Sequence, residues 1–247
     1  MIPAIIIPAF NPDHRLPGYI RQLRHQGDYR IIVVDDGSVL RSKPIFESIR
    51  DIDGCIVLVH KRNMGKGAAL KTAFRHVLGN CREVSHIVTA DADGQHAVED
   101  VVSVVKETGK SACGLVFGVR DFIHPEIPAR SLFGNRLTSH LFRILFGRRL
   151  HDTQTGLRGI PRKELKWLMT IRGDRYDYEM NTLIHAVREN VDIREVGIRT
   201  IYLDRNASSH YRPLVDSARI FLKIISGYFS GSSLYVNPSE RQIAEEV

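Results

Sequence analysis

The sequence predicts an α/β protein in which a mostly parallel sheet is covered on both faces by helices. Short, near-continuous Ile/Val runs alternate with segments of helical period, and this βαβα order is what parallel sheets require. The chain is 247 residues long and 43% apolar, enough for a sizeable core, yet no stretch approaches the ~18 uninterrupted apolar residues of a membrane span. Three of the apolar runs end in Pro, Asp, Asn, Gly or Ser, residues suited to the carboxyl edge of such a sheet, where ligands bind.

The first strand is expected at Ala4–Pro8. The N-terminal segment has no basic region, too short an apolar run and no small-residue cleavage site, so it reads as a strand and not a signal peptide. Further strands are expected at Arg30–Asp35, Cys55–His60, His86–Asp91 and Cys113–Val119, with helices between them at Leu16–Gln26, Lys43–Arg50, Gly65–Leu78 and Val98–Thr108. Residues 130–147 have helical period, with Arg136, His140 and Arg143 on one face and Leu137, Leu141, Ile144 and Leu145 largely opposite. That basic amphipathic helix is either a solvated surface helix or a membrane- or acceptor-binding face. A polar turn at Asp152–Gly159 leads into a short strand, followed by a helix at Asp177–Glu189 and a strand near Ile193–Tyr202. A last helix, Pro213–Phe229, carries Asp216, Arg219 and Lys223 on one stripe and either closes the core or lies in a bilayer interface. Residues 1–230 are expected to form one domain, and the polar, aperiodic tail 231–247 to be mobile.

The fourth run, Ile87-Val-Thr-Ala-Asp-Ala-Asp-Gly-Gln-His96, ends in two acids separated by one small residue. On a strand, side chains repeat with period two, so Asp91 and Asp93 project to one side and Gln95 continues the series. Hard oxygen ligands so placed suit Mg²⁺ or Mn²⁺, which keep open positions for the oxygens of a substrate diphosphate. The other reading is a solvated Asp-Gly turn.

Charge and spacing exclude several classes. Cys55, Cys81 and Cys113 stand far apart, without zinc or redox spacing, and read as buried free thiols. The net charge of +7 implies an anionic partner. Nucleic acid is not expected, because no recognisable module and no aromatic-rich basic strand is present. A dinucleotide fold needs Gly-x-Gly-x-x-Gly after the first strand, where Ala9-Phe-Asn-Pro-Asp13 stands instead. Gly65-Lys-Gly-Ala-Ala-Leu70 suggests a phosphate loop but has Gly67 where Mg²⁺ requires Ser or Thr. It reads as a helix start, with Asn63 as cap or ligand contact and Lys66 near an anion.

The ordered motifs Ile7-Pro-Ala-Phe-Asn-Pro12, Val33-Val-Asp-Asp-Gly-Ser38, Asn63-Met-Gly-Lys-Gly67, Asp91-Ala-Asp-Gly-Gln-His96 and Asp152-Thr-Gln-Thr-Gly-Leu-Arg158 resemble the family-2 glycosyltransferases of GT-A (Rossmann-like) fold. Within these the chain is most similar to the polyprenyl-phosphate sugar synthases, the group containing dolichyl-phosphate mannose synthase, over about Ile2 to Phe229. The likeness extends to enzymes fused to a GtrA-type membrane domain, which carry segments similar to Tyr176-Asp-Tyr-Glu-Met180 and Ser209-His-Tyr-Arg-Pro213. It implies that Pro8, Ala9 and Asp36 line the nucleotide pocket, with Lys66 and Asp91 also at the donor. It implies Asp91, Asp93 and Gln95 at the metal and sugar diphosphate, and Arg120, Arg130 and Arg212 on the acceptor phosphate. Asp93, Arg120 and Arg130 are the residues assigned to catalysis. Family members commonly have Tyr and Glu where this chain has Phe10 and Pro12.

The implied reaction is inverting transfer of a hexosyl group from a UDP- or GDP-sugar to a polyprenyl phosphate, on the inner face of the cell membrane, alone or beside a separate GtrA-like membrane protein. An acceptor phosphate has a second pKa near 6 and needs no strong general base. The rival within enzymes is transfer to a sugar hydroxyl, which does need one, and Glu179 is the candidate, with a structural carboxylate as its other reading. A sugar-1-phosphate nucleotidyltransferase would have a Gly-rich loop where Pro12 and Pro17 stand.

Overall fold

A computed structural model describes residues 1–110, 114–120 and 129–199. Its seven-stranded sheet has the order β3-β2-β1-β4-β6-β5-β7. The strands are β1 (Ile2–Ala9), β2 (Arg30–Asp35), β3 (Cys55–Val59), β4 (Val84–Thr89), β5 (Leu115–Arg120), β6 (Arg158–Pro161) and β7 (Ile193–Ile198). β1 pairs in parallel with β2 and β4, β2 with β3, and β5 with β7. β6 runs antiparallel between β4 and β5. The sheet is therefore mostly parallel, as expected, with one reversed strand that local patterning did not reveal.

The helices are α1 (Leu16–His25), α2 (Lys43–Arg50), α3 (Lys66–Asn80), α4 (Val98–Lys110), α5 (Ala129–Phe146), α6 (Leu165–Thr170) and α7 (Asp177–Arg188). Pro17 and Pro44 stand at the first positions of α1 and α2, where a missing N–H costs nothing. Period two sorts each buried strand between two cores. Ile5, Ile7, Ile31 and Val33 pack with α1, α2 and α4, whereas Ile6, Ile32 and Val34 pack with residues of α3, α6 and α7. Full burial of one such aliphatic side chain is worth about 1.5–3 kcal/mol, so these two layers carry most of the stability.

Several boundaries differ from expectation. β4 ends at Thr89 rather than Asp91, and β5 starts at Leu115 rather than Cys113. The short α6 was not anticipated: six residues are too few to display helical period. On α5, His140 and Arg143 are exposed as expected, but Ile144, assigned to the apolar face, is 64% exposed, whereas Phe142 is buried. The side chains of Arg130, Arg136 and Leu137 lie outside the described residues, as do Cys113, Arg212, the helix expected at Pro213–Phe229 with Asp216, Arg219 and Lys223, and the tail. Among the described residues, no helix is long and apolar enough to cross a membrane.

Candidate functional site

The winding of the sheet reverses at β1. The chain passes outward through β2 to β3 and then returns to the other side of β1 as β4. Ligands in such sheets bind beyond the carboxyl ends at this switch point. Two loops there are stitched together. The backbone N–H of Asp36 donates to the carbonyl of Ala9 at 2.8 Å. Asn11, at φ 50°, donates its backbone N–H to Ser38 Oγ at 2.9 Å, and its side-chain oxygen accepts from the N–H of Val39 at 2.9 Å. Pro8 and Ala9 thereby form a fixed rim at the end of β1.

Asp36 is buried behind that rim. Its Oδ1 accepts from His60 Nδ1 at 2.7 Å and the N–H of Met64 at 2.8 Å, and its Oδ2 accepts from the N–H of Gly65 at 2.7 Å. A carboxylate offers about four acceptor positions, so Asp36 works chiefly as the clasp of the loop before α3. The other His60 nitrogen meets Thr72 Oγ1 at 2.9 Å, tying the clasp into α3 itself. Helix α3 is capped by Gly65 at φ 103° with no side-chain cap, so Asn63 is not the cap. The Asn63 side-chain oxygen instead lies 3.4 Å from Arg175 Nη1. Only glycine fits at position 65, because a Cβ would sit 2.3 Å from the carbonyl oxygen of Asp174.

The acid pair lies past the end of β4, in a turn with Gly94 at φ 75°. Strand period therefore does not orient Asp91 and Asp93. Asp93 Oδ1 accepts from the N–H of Gln95 at 3.0 Å, the self-bonding typical of an Asp turn. The turn and the acid pair are thus one structure, not alternatives. Asp91 is held by two cationic or donor groups: Lys66 Nζ lies 2.6 Å from its Oδ1 and His96 Nε2 lies 3.3 Å from its Oδ2. The same ammonium reaches Glu179 Oε1 at 3.0 Å.

Charge and burial act differently on these groups. Burial alone would raise the Asp91 carboxyl, but the Lys66 ammonium, with His96 beside it, outweighs burial and holds it below the usual carboxylate range. Burial likewise disfavours the Lys66 ammonium, and the charges of Asp91 and Glu179 override it, leaving Lys66 firmly protonated. Asp93 is pushed upward by burial first and by the charge of Asp91 second. A positive charge shared with Asp91 would relieve that strain. The donors are oxygens, which suits Mg²⁺ or Mn²⁺. Among the described residues no group of three or more His, Cys, Asp or Glu makes a closed cage. Two carboxylates in one turn would leave most positions of such a cation to water or to a ligand's oxygens.

Arg120 departs from expectation. Its Nε and Nη2 donate to Asp152 Oδ2 and Oδ1 at 2.7 and 3.0 Å, and Asp152 is buried. The guanidinium edge expected to meet an acceptor phosphate is thus occupied by a carboxylate of the same protein. The turn that follows Asp152 lies against the acid pair: a Cβ on Gly156 would sit 2.4 Å from Asp91 Oδ2. The Gly156→Ala variant is accordingly expected to push the Asp91 carboxylate aside while leaving the sheet intact. A displaced Asp91 should hold a divalent cation more weakly. Calorimetric titration with Mn²⁺ checks it, and wild-type affinity would contradict the packing described.

Residues that sequence reasoning missed include His60, His96, Asp152 and Arg158. Arg158 is only 5% exposed. Its Nε donates to the Thr155 carbonyl at 3.0 Å, its Nη1 to the Glu179 carbonyl at 3.0 Å, and its guanidinium lies 4.8 Å from the centroid of Phe117. It splints the turn beside Asp91 to the start of α7. The Tyr19 hydroxyl is buried with no hydrogen-bond partner among the described residues, and burial, then Asp91, Asp93 and Asp100, push its pKa upward. His96, Asp152 and Arg158 stood inside recognised motifs, but their partners come from distant segments.

Comparisons with known proteins identify the family and the fold. The chain is 29% identical over 217 residues to the UDP-N-acetylglucosamine–dolichyl-phosphate N-acetylglucosaminyltransferase of Methanococcus voltae, covering 81% of this chain and 86% of the relative. It is 25% identical over 250 residues to the dolichyl-phosphate beta-glucosyltransferase of Dictyostelium discoideum, covering 92% and 75% respectively. Its fold is similar to that of glucosyl-3-phosphoglycerate synthase from Mycobacterium tuberculosis, solved with Mn²⁺, UDP and glucosyl-3-phosphoglycerate (TM-score 0.67, 16% identity, 96% of this chain and 81% of that one). The sequence model of glycosyl transferase family 2 matches residues 4–166, from β1 to the start of α6. That span takes in the switch point, the acid pair and the turn that packs on it, and the chain accordingly belongs to glycosyl transferase family 2 as a GT-A glycosyltransferase.

Proposed function

We propose that this glycosyltransferase moves a hexosyl group from a UDP- or GDP-sugar to a polyprenyl phosphate, with inversion at the anomeric carbon, at a membrane surface. The observation that carries the acceptor assignment is the state of Glu179. A hydroxyl acceptor needs a general base, and the Glu179 carboxylate is partly buried and already engaged by the Lys66 ammonium at 3.0 Å, so it is held as an ion-pair partner and not as an open proton acceptor. A phosphate dianion requires no such group. The dolichyl-phosphate acceptors named for the two relatives support the same reading.

In this reading Pro8 and Ala9 form the wall against which the nucleotide lies, and Asp36 holds that wall's neighbouring loop and offers its remaining lone pair to the base. Asp91 and Asp93, with Gln95, hold Mg²⁺ or Mn²⁺. The bound cation supplies Lewis-acid neutralisation of the charge that builds on the departing diphosphate. Lys66, at the first turn of α3, adds a positive charge where the phosphates lie. The acceptor phosphate is gripped by Arg130 and Arg212, with Arg120 contributing charge while its Nε–Nη2 edge stays on Asp152. The decisive experiment offers polyprenyl phosphate and a sugar-hydroxyl acceptor to the Glu179→Gln variant at saturating Mn²⁺. Transfer to polyprenyl phosphate is expected to persist within about tenfold of wild type, since no proton transfer is lost. Its abolition with donor binding intact would return the hydroxyl-acceptor reading to first place.

Attachment to the membrane is proposed to be peripheral, through exposed His140 and Arg143 on α5 together with Arg136, Arg219 and Lys223, on the cytoplasmic face, alone or beside a GtrA-like membrane protein. Each basic residue near an anionic surface contributes about 1 kcal/mol, so several give reversible, salt-sensitive binding. Co-sedimentation with anionic liposomes at low ionic strength is expected, and protein left wholly in the supernatant would refute it.

A further inference from the structure

Both oxygens of Asp91 are engaged, Oδ1 by Lys66 at 2.6 Å and Oδ2 by His96 at 3.3 Å. A cation at Asp91 and Asp93 must therefore approach a carboxylate that already carries an ammonium on Oδ1 and the His96 ring on Oδ2. Two positive charges at such separations repel strongly in a partly buried site, so one has to yield. The lysine is the one able to move. Its charge sits on a flexible four-carbon stem with three donors, and a second carboxylate, Glu179, is already within 3.0 Å. Both ends of that movement are mounted rigidly. Lys66 opens α3 and Glu179 lies in the first turn of α7, and the two helix starts are locked together. The Ala68 N–H donates to the Asp174 carbonyl at 3.0 Å, and a Cβ on Gly67 would meet Tyr178 Cβ at 2.5 Å.

We propose that Lys66 and the divalent cation compete for Asp91, and that Glu179 is the berth to which the ammonium withdraws when the cation takes Asp91. Lys66 and Glu179 are then positioning residues that set the metal affinity of the site. Glu179 has a task unrelated to proton abstraction. A lysine that has left Asp91 stays in the site beside the incoming diphosphate, so neutralisation of Asp91 and of the substrate is handed between two cations. The inference rests on the metal-dependent reading above.

The test is direct Mn²⁺ affinity, measured by electron paramagnetic resonance of the free ion, on wild type, Lys66→Met, Glu179→Gln and the double variant, with thermal unfolding as the folding control. Lys66→Met is expected to bind Mn²⁺ about tenfold more tightly, because the competitor is gone. Glu179→Gln is expected to bind about tenfold more weakly while Lys66 is present, because the ammonium then has only Asp91. In the Lys66→Met background the same Glu179 substitution should change affinity by less than about threefold, since only a screened, longer-range charge is lost. Lys66→Gln, which keeps a polar group between the carboxylates, replaces Lys66→Met if that variant does not fold. Unchanged or weaker binding on loss of Lys66, or an equal Glu179 effect in both backgrounds, would overturn the competition while leaving the metal reading standing. Absence of Mn²⁺ binding in wild type and every variant would end the metal reading itself.

Discussion

Asp93→Ala is expected to abolish the strengthening of UDP or GDP binding by Mn²⁺ and to lower glycosyl transfer on the order of a hundred- to a thousandfold, with the fold retained. The size follows from the several kcal/mol that a bound cation supplies to a departing diphosphate, at 1.36 kcal/mol per factor of ten. The fold should survive because, among the described residues, Asp93 accepts one hydrogen bond, from the N–H of Gln95 in its own turn, and is pushed toward protonation by burial and then by Asp91. Removing it relieves a like-charge contact instead of stranding a partner. Titration of each nucleotide in EDTA and in Mn²⁺ reads the effect. Equal affinities in the wild type, or retention of the Mn²⁺ effect in the variant, would refute the assignment. Asp91→Ala should behave differently: it strips His96 of its carboxylate and leaves Lys66 with Glu179, so it should cost some stability as well as metal binding.

The second large effect is expected in stability. Arg120→Ala should destabilise the protein by about 3–5 kcal/mol, because it leaves the buried Asp152 carboxylate without its cation. For a chain of this size that corresponds to a fall in Tm of roughly 6–20 °C. Among the described residues, Asp152 then keeps the backbone N–H groups of Gln154 and Arg120, at 3.0 and 3.4 Å. The paired variant Arg120→Met/Asp152→Leu should recover most of the loss, since a buried ion pair is costly to break but not to replace by apolar groups. Calorimetric unfolding of the three proteins decides it, and an unaltered Tm for Arg120→Ala would contradict the bidentate pair. Arg130→Ala and Arg212→Ala provide the contrast. If they hold the acceptor phosphate, they should lower acceptor-dependent turnover about ten- to hundredfold through loss of a charge-assisted contact, with donor affinity unchanged.

Much of this architecture was legible because it is local. Ile5-Ile-Ile7 and Ile31-Ile-Val-Val34 mark buried parallel strands by composition alone, and Asp91 and Asp93 stand out as acids at the end of an apolar run. What stayed hidden depends on groups brought together from distant segments. Arg120 and Asp152 are 32 residues apart, and the helix that carries Glu179 toward Lys66 begins over a hundred residues after the first turn of α3. No periodicity encodes such pairs, which arise only once the sheet order is fixed. Of the two roles open to Asn63, the cap fails because Gly65 starts the helix, where only a residue without Cβ clears Asp174. The reversal of β6 was equally illegible: four residues are too short to announce a direction.

That short reversed strand has a consequence for how the molecule opens. Among the described strands, β6 alone joins the β3-β2-β1-β4 portion to the β5-β7 portion, through pairing of Thr89 with Arg158 on one side and of Phe117 with Arg158 on the other. It is a seam stitched by one four-residue strand between longer parallel ladders. Sub-global opening follows the weakest cooperative boundary, so native-state hydrogen exchange should show the amides of Gly159 and Ile160 released together, ahead of those in β1 and β2. The seam runs directly beneath the turn that packs on Asp91. A fluctuation that unzips it disassembles the acid site before either half of the sheet has melted, and catalytic competence is lost at lower denaturant than secondary structure.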